Sequence, residues 1–187
     1  MASNHPGIAQ VLDFWFRELR PSQWYGGGEA LDAEIAARFG ALVEQAHAGE
    51  LDDWAETALG RLALVIVLDQ FSRNIFRGSP RTWAMDEVCQ RLVVDGIDAG
   101  MDETLALSQR QFFYMPLMHA EDPALQALSV EMFTALRDQA ESTLEYALEH
   151  AGCIHEFGRF PYRNDVLGRE TTPAEADYLA SDRNPFG

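Results

Sequence analysis

Apolar residues recur along this chain every three to four positions, and no stretch alternates strictly enough to predict a strand. A first helix is predicted over residues 7–19, with Ile8, Val11, Leu12, Trp15 and Leu19 on one stripe and Pro21 ending it. A second covers 30–48 and stops at Gly49, a residue suited to the left-handed conformation that closes helices. A third covers 57–76. It contains the longest apolar run, residues 62–68, whose length also suits a buried strand, but helical spacing continues on both sides and predicts helix.

Later helices are announced by punctuation. Ser79-Pro80, Asp122-Pro123 and Thr172-Pro173 each place a capping side chain before a proline at the first helical position. Thr172 also has Glu175 three residues on, completing a capping box. The predicted helices are 80–99, 103–120, 123–137, 139–157 and 173–180. Short connections predict antiparallel αα-hairpins, an all-α architecture compatible with a helical-repeat stack although no sequence repeat is visible. The turn Trp24-Tyr25-Gly26-Gly27-Gly28 has neither a preceding strand nor a following Lys-Ser/Thr, so it is no phosphate loop.

Composition narrows the class. The 187 residues suit one domain, 1–187, large enough to bury roughly 70% of its unfolded surface without a metal or disulfide staple. Two cysteines, Cys89 and Cys153, form no disulfide framework and predict reduced thiols in a cytoplasmic protein. The first residues lack the pattern of a secretory leader, and the run at 62–68 is too short to span a bilayer, so a soluble protein is expected.

The formal charge is −16, which argues against nucleic acid or an anionic membrane as partner. All fourteen basic residues are arginine, which removes Schiff-base and lysine-nucleophile chemistry and leaves only planar forks suited to carboxylate or phosphate. Three of them (Arg73, Arg77, Arg81) lie between Gln70 and Met85 with no acid, and Arg159 and Arg163 lie in a second acid-free stretch, 157–164.

Asp69, Arg73 and Arg77 are spaced by four and share a helix face. They fit either a surface salt-bridge ladder or an internal helix turning its charges into a polar cavity. In Phe157-Gly158-Arg159-Phe160-Pro161-Tyr162-Arg163-Asn164, Gly158 ends a helix and Pro161 favours an extended Phe160. Alternation then sends Arg159 and Arg163 one way and the aromatics the other; the alternative is a docked loop whose arginines cap helix ends. His150 shares a stripe with Tyr146, Cys153 and Phe157 and is expected to face inward, as a hydrogen-bonded core residue or as a ligand. His119 follows Pro116, which either kinks its helix or begins a new turn. Glu44 and His47 match half of a di-iron motif with no second copy, so no metal and no cofactor are expected. There is no Gly-x-Ser-x-Gly, and both cysteines lie on apolar stripes, so no nucleophile is assigned.

Four phrases together carry a resemblance: residues 11–16 (Val-Leu-Asp-Phe-Trp-Phe), 68–78 (Leu-Asp-Gln-Phe-Ser-Arg-Asn-Ile-Phe-Arg-Gly), 112–119 (Phe-Phe-Tyr-Met-Pro-Leu-Met-His), and 157–164 with Leu167-Gly168-Arg169. From about Val11 to Leu179 the chain resembles the bacterial domain-of-unknown-function family nine hundred and twenty-four. That resemblance implies an all-α fold similar to tetratricopeptide-repeat proteins, and brings no established activity, substrate or cofactor. The chain departs from the family pattern at Ser72 (usually proline), Ala120 (usually serine) and Tyr162 (usually histidine).

The phrases coincide with the polar residues singled out above. The expectation is one pocket binding an anionic small molecule or peptide carboxylate. Arg73, Arg77, Arg159 and Arg163 serve as anion forks and Asp69 orients an arginine, with Asn74, Tyr114, His119, His150 and Asn164 as polar lining. The rival is an enzyme of hydrolytic or proton-transfer type with His150 or His119 as general base. A third reading is purely structural, with every arginine saturated by internal acids. Oligomeric state is left open, a homodimer included.

Overall fold

In the computed structural model the first stripe folds as α1 (Pro6–Asp13), which runs directly into a π-helical turn at Phe14–Glu18. Residues 5–25 and 28–181 are described, so Gly26 and Gly27 of the glycine turn lie outside the described residues. All regular structure among the described residues is helical. The chain divides into two compact units, 1–136 and 137–187.

In the first unit, α2 (Gly28–His47) follows and closes through Gly49, whose φ of +77° is the expected left-handed end. The third predicted helix is real but compound. Thr57 caps α3 (Ala58–Val65) by accepting from the Gly60 amide; a π-helical segment, Ile66–Phe71, and a short α4 (Ser72–Ile75) complete it. The apolar run is fully internal, Leu62 to Leu68 each being at most 2% exposed. Burying a Leu or Phe side chain of this kind stabilises by about 1.5–3 kcal/mol, which makes this helix the axis of the unit. Around it pack Val11, Phe14, Trp15, Ile35, Phe39 and Phe112. Their rings meet at tilted or edge-on angles, with Phe39–Phe71 at 4.8 Å and Trp15–Phe112 at 5.3 Å between centroids.

Two predicted helices begin later than expected. Residues 80–83 form a 3₁₀ turn (Pro80–Trp83), tied back by the Thr82 hydroxyl donating to the Phe76 carbonyl, before α5 (Asp86–Asp98) starts with two acids in its first turn. Likewise Asp102–Thr104 is a 3₁₀ turn because the Asp102 side chain turns inward to Tyr114, and α6 (Leu107–Met118) starts after it. Pro116 neither ends nor restarts α6, which passes through it.

The expected break near residue 138 is absent. α7 (Pro123–Phe157) is continuous over 35 residues, since no glycine or proline interrupts it there. Its residues 123–136 belong to the first unit and 137–157 to the second. No helix among the described residues is long and apolar enough to cross a membrane.

The second unit adds a 3₁₀ turn (Pro161–Arg163) and α8 (Pro173–Leu179) to the end of α7. Gly158 closes α7 with φ +68°, and Thr172 and Glu175 form the predicted capping box. Glu175 is the hub: it receives Arg159 at 2.6 and 2.8 Å, the Thr172 amide at 2.8 Å and the Asn164 amide at 3.3 Å.

Candidate functional site

The π-helical segment decides where Asp69 goes. A π turn inserts a residue into helical spacing and re-aims the side chains that follow, and such turns recur at functional positions. Here it buries Asp69 completely among apolar neighbours. A buried carboxylate is tolerable only if its lone pairs are filled, and three donors fill them. Oδ1 receives Arg73 Nη1 at 2.9 Å and His119 Nδ1 at 2.8 Å; Oδ2 receives Gln70 Nε2 at 2.5 Å. Arg73 is itself shared, reaching Asp86 at the start of α5 with a bidentate pair of 3.0 and 2.9 Å and the Asp69 carbonyl at 3.1 Å.

His119 is the residue that caps the C-terminal end of α6. Gln126 of α7 donates to the carbonyls on either side of it, Met118 at 2.9 Å and Ala120 at 2.7 Å, so the backbone that carries the imidazole is pinned. Because an ionised carboxylate only accepts, the contact to Asp69 makes Nδ1 the proton-bearing nitrogen and leaves a lone pair on Nε2. Among the described residues nothing else bonds to that ring.

His119 and Arg73 form part of the wall of a cavity of about 1020 Å³. α5 supplies the facing wall with one side of its helix, from Asp86 and Glu87 through Gln90 and Arg91 to Asp95. Glu121, Asp122 and Trp83 complete its polar and aromatic rim. Cys89, one turn from Asp86, is fully buried, and burial first, then the nearby Asp69 carboxylate, pushes its thiol well above the ordinary range. It is no nucleophile. Among the described residues no three metal-ligating side chains come close enough to hold an ion.

Of the ten residues expected in one pocket, Asp69, Arg73 and His119 come together. Asn74 and Arg77 turn instead to Asp32 of α2, at 2.7 Å and at 2.8 and 3.0 Å, and Arg77 holds the Asp32 carboxyl below its usual range. The spacing puts Arg77 on one face with Asp69 and Arg73, as a ladder or as cavity lining, but its side chain goes to an acid 45 residues away. Tyr114 is buried and donates to Asp102 while accepting from Arg110 Nε at 3.1 Å; burial pushes its hydroxyl up to about 12.

His150, Arg159, Arg163 and Asn164 belong to the second unit. The inward stripe expected there is not formed: Tyr146 is exposed, His150 is half-buried with Nδ1 2.6 Å from the Tyr146 carbonyl, and only Cys153 is buried. Nor is the 159–163 loop extended. Its 3₁₀ turn folds Arg163 over Phe160 and Tyr162, at 4.5 and 5.3 Å, while Arg159 is committed to Glu175. Asn164 is buried beside Glu175 and Thr171.

Asp86, Asp32 and Arg91 carry no signal in the sequence, and Glu175 is legible there only as a helix cap, not as the partner of Arg159. The acid-free stretch was drawn to end at Met85, one residue short of the carboxylate that neutralises Arg73.

A fully helical protein with a buried carboxylate–imidazole pair opening on a cleft is the class these features define. The chain belongs to the family described as Bacterial protein of unknown function (DUF924), whose profile matches residues 11–183. It is also similar to a solved protein of unknown function from Agrobacterium tumefaciens, ATU0120, at 38% identity over 92% of this chain and 96% of that one, with a TM-score of 0.65. No curated protein matches the chain.

Proposed function

We propose that the cleft is the proton-transfer site of an enzyme acting on a small molecule, with His119 as general base and Asp69 as the residue that orients it. The observation that carries this is the 2.8 Å contact between a wholly buried carboxylate and an imidazole lining a large cavity. Nε2 accepts a proton from a bound substrate or water, the resulting imidazolium stays paired with Asp69, and the proton is returned in a later step. Tetratricopeptide-like stacking of the helices is part of the same proposal, supported by the packing of α5 against both α3 and α6.

A binding protein whose Arg73, Arg77, Arg159 and Arg163 hold an anion draws less support, because the first three already have carboxylate partners. His150 draws less support as a base, since its Nδ1 meets a backbone carbonyl, that of Tyr146 at 2.6 Å, and it belongs to the second unit rather than to the cleft.

The test is nitrogen-15 NMR of the imidazoles near pH 8, alongside a screen of chromogenic ester, amide and lactone substrates. His119 is expected as the Nδ1–H tautomer, and His119→Gln is expected to reduce any turnover found by about 10²–10⁴-fold. An Nε2–H tautomer in the wild type, or turnover indifferent to His119→Gln, removes His119 as the base.

A further inference from the structure

Two arginines and one imidazole line the cleft, and they are not equivalent. The Arg73 guanidinium is consumed by Asp69 and Asp86, and the His119 Nδ1 proton by Asp69. Arg91 is different. It projects from the face of α5 that lines the cavity, and among the described residues it makes no hydrogen bond or ion pair, although Glu87 and Asp95 lie four residues to either side of it. An exposed arginine between two acids at that spacing can pair with either, though only weakly, and here it pairs with neither. Left unpaired on a cavity wall, its planar fork is free to take a carboxylate in bidentate fashion.

The remaining charges restrict what else that ligand carries. Glu87, Asp95 and Glu121 line the same cavity; among the described residues none is within ion-pair distance of a cation, and Asp95 feels a nearby one, Arg61. Around Arg91 they repel a ligand with two or three negative charges, such as a phosphate, and favour one whose single carboxylate is accompanied by a cationic group. Trp83, 59% exposed on the same rim, offers an aromatic face to that cation.

We propose that the cleft takes a small zwitterion, an amino acid or short peptide, with its carboxylate on Arg91 and its ammonium towards Glu87, Asp95 and Glu121. This rests on the cleft being the functional site, and it moves anion recognition from the four arginines named from the sequence to one that was not. Arg91 is then a substrate-positioning residue, while proton transfer stays with His119.

Isothermal titration of the full chain with glycylglycine, acetate, methylamine and inorganic phosphate tests it. Glycylglycine is expected to bind more tightly than any of the other three. Arg91→Ala, an exposed helix position whose fold is checked by circular dichroism, is expected to weaken glycylglycine about tenfold or more. Titration reads binding without turnover, so the two readings fail separately: the proton-transfer reading in the turnover of His119→Gln, the zwitterion reading in the affinity of Arg91→Ala. Tighter binding of phosphate or acetate, wild-type affinity in Arg91→Ala, or no heat with glycylglycine overturns the proposal.

Discussion

Asp69 accepts from three donors on a side chain that water does not reach; when the carboxylate is removed His119 and Gln70 lose that partner, while Arg73 keeps Asp86. Asp69→Ala is therefore expected to destabilise the first unit by about 3 kcal/mol, the usual cost of leaving half of a buried ionic cluster behind. Asp69→Asn keeps the shape and one acceptor, so its loss in urea unfolding is expected to be smaller; equal losses would mean that the charge is irrelevant. Half of this cluster was legible in the sequence. Asp69 and Arg73 are four apart on one helix, and a helix apolar all round in its first half belongs in a core. His119 was legible only as a histidine after a proline, because the contact that gives it meaning comes from a residue 50 positions away. Arg91 carried no local signal at all, since an arginine flanked by acids at i±4 reads as a surface salt bridge.

At the scale of elements, caps were the reliable signal and π turns the invisible one. Ser79, Asp122 and Thr172 do what their positions predicted, because a cap is a local contract between a side chain and an amide two or three residues on. A π turn depends on how the whole helix packs, and nothing in the spacing of residues 62–71 marks where the extra residue goes. Thr172→Ala is expected to cost about 1 kcal/mol and to speed amide exchange in α8. Gly60→Ala is expected to cost more, about 1–3 kcal/mol, although alanine is the better helix former. A Cβ there would stand 2.2 Å from the Trp54 carbonyl, which is backbone and cannot swing aside. A Gly60→Ala melting temperature at or above that of the wild type would show that the 52–56 turn (Asp52–Glu56) gives way.

For the molecule as a whole, the excess of acids makes low pH the informative direction. The Arg159 guanidinium, then the Thr172 amide, hold the Glu175 carboxyl at about 2, against an ordinary value of 4.5. Its folded pKa is depressed, so the stability it contributes is complete above about pH 4.5 and is lost as pH falls through about 2. Amide exchange in α8 is expected to accelerate across that window in the wild type, and Glu175→Gln to remove the acceleration; an unchanged profile in the variant would assign the transition to other carboxylates. The lack of lysine leaves the permanent side-chain cations of the protein on guanidinium groups, many of which are committed to carboxylates.

Trp83 has a use that its place on the cleft rim makes available without any labelling. Trp15 and Trp54 are sealed in the core at 1% exposure each, whereas Trp83 is open to solvent beside Arg91 and Asp86. Trp24 is half-buried, so the most red-shifted and iodide-accessible emission is expected from Trp83, and a molecule entering the cleft is expected to shift that emission to the blue and reduce its quenching. The protein therefore carries its own optical reporter for screening compounds, and Trp83→Phe provides the blank.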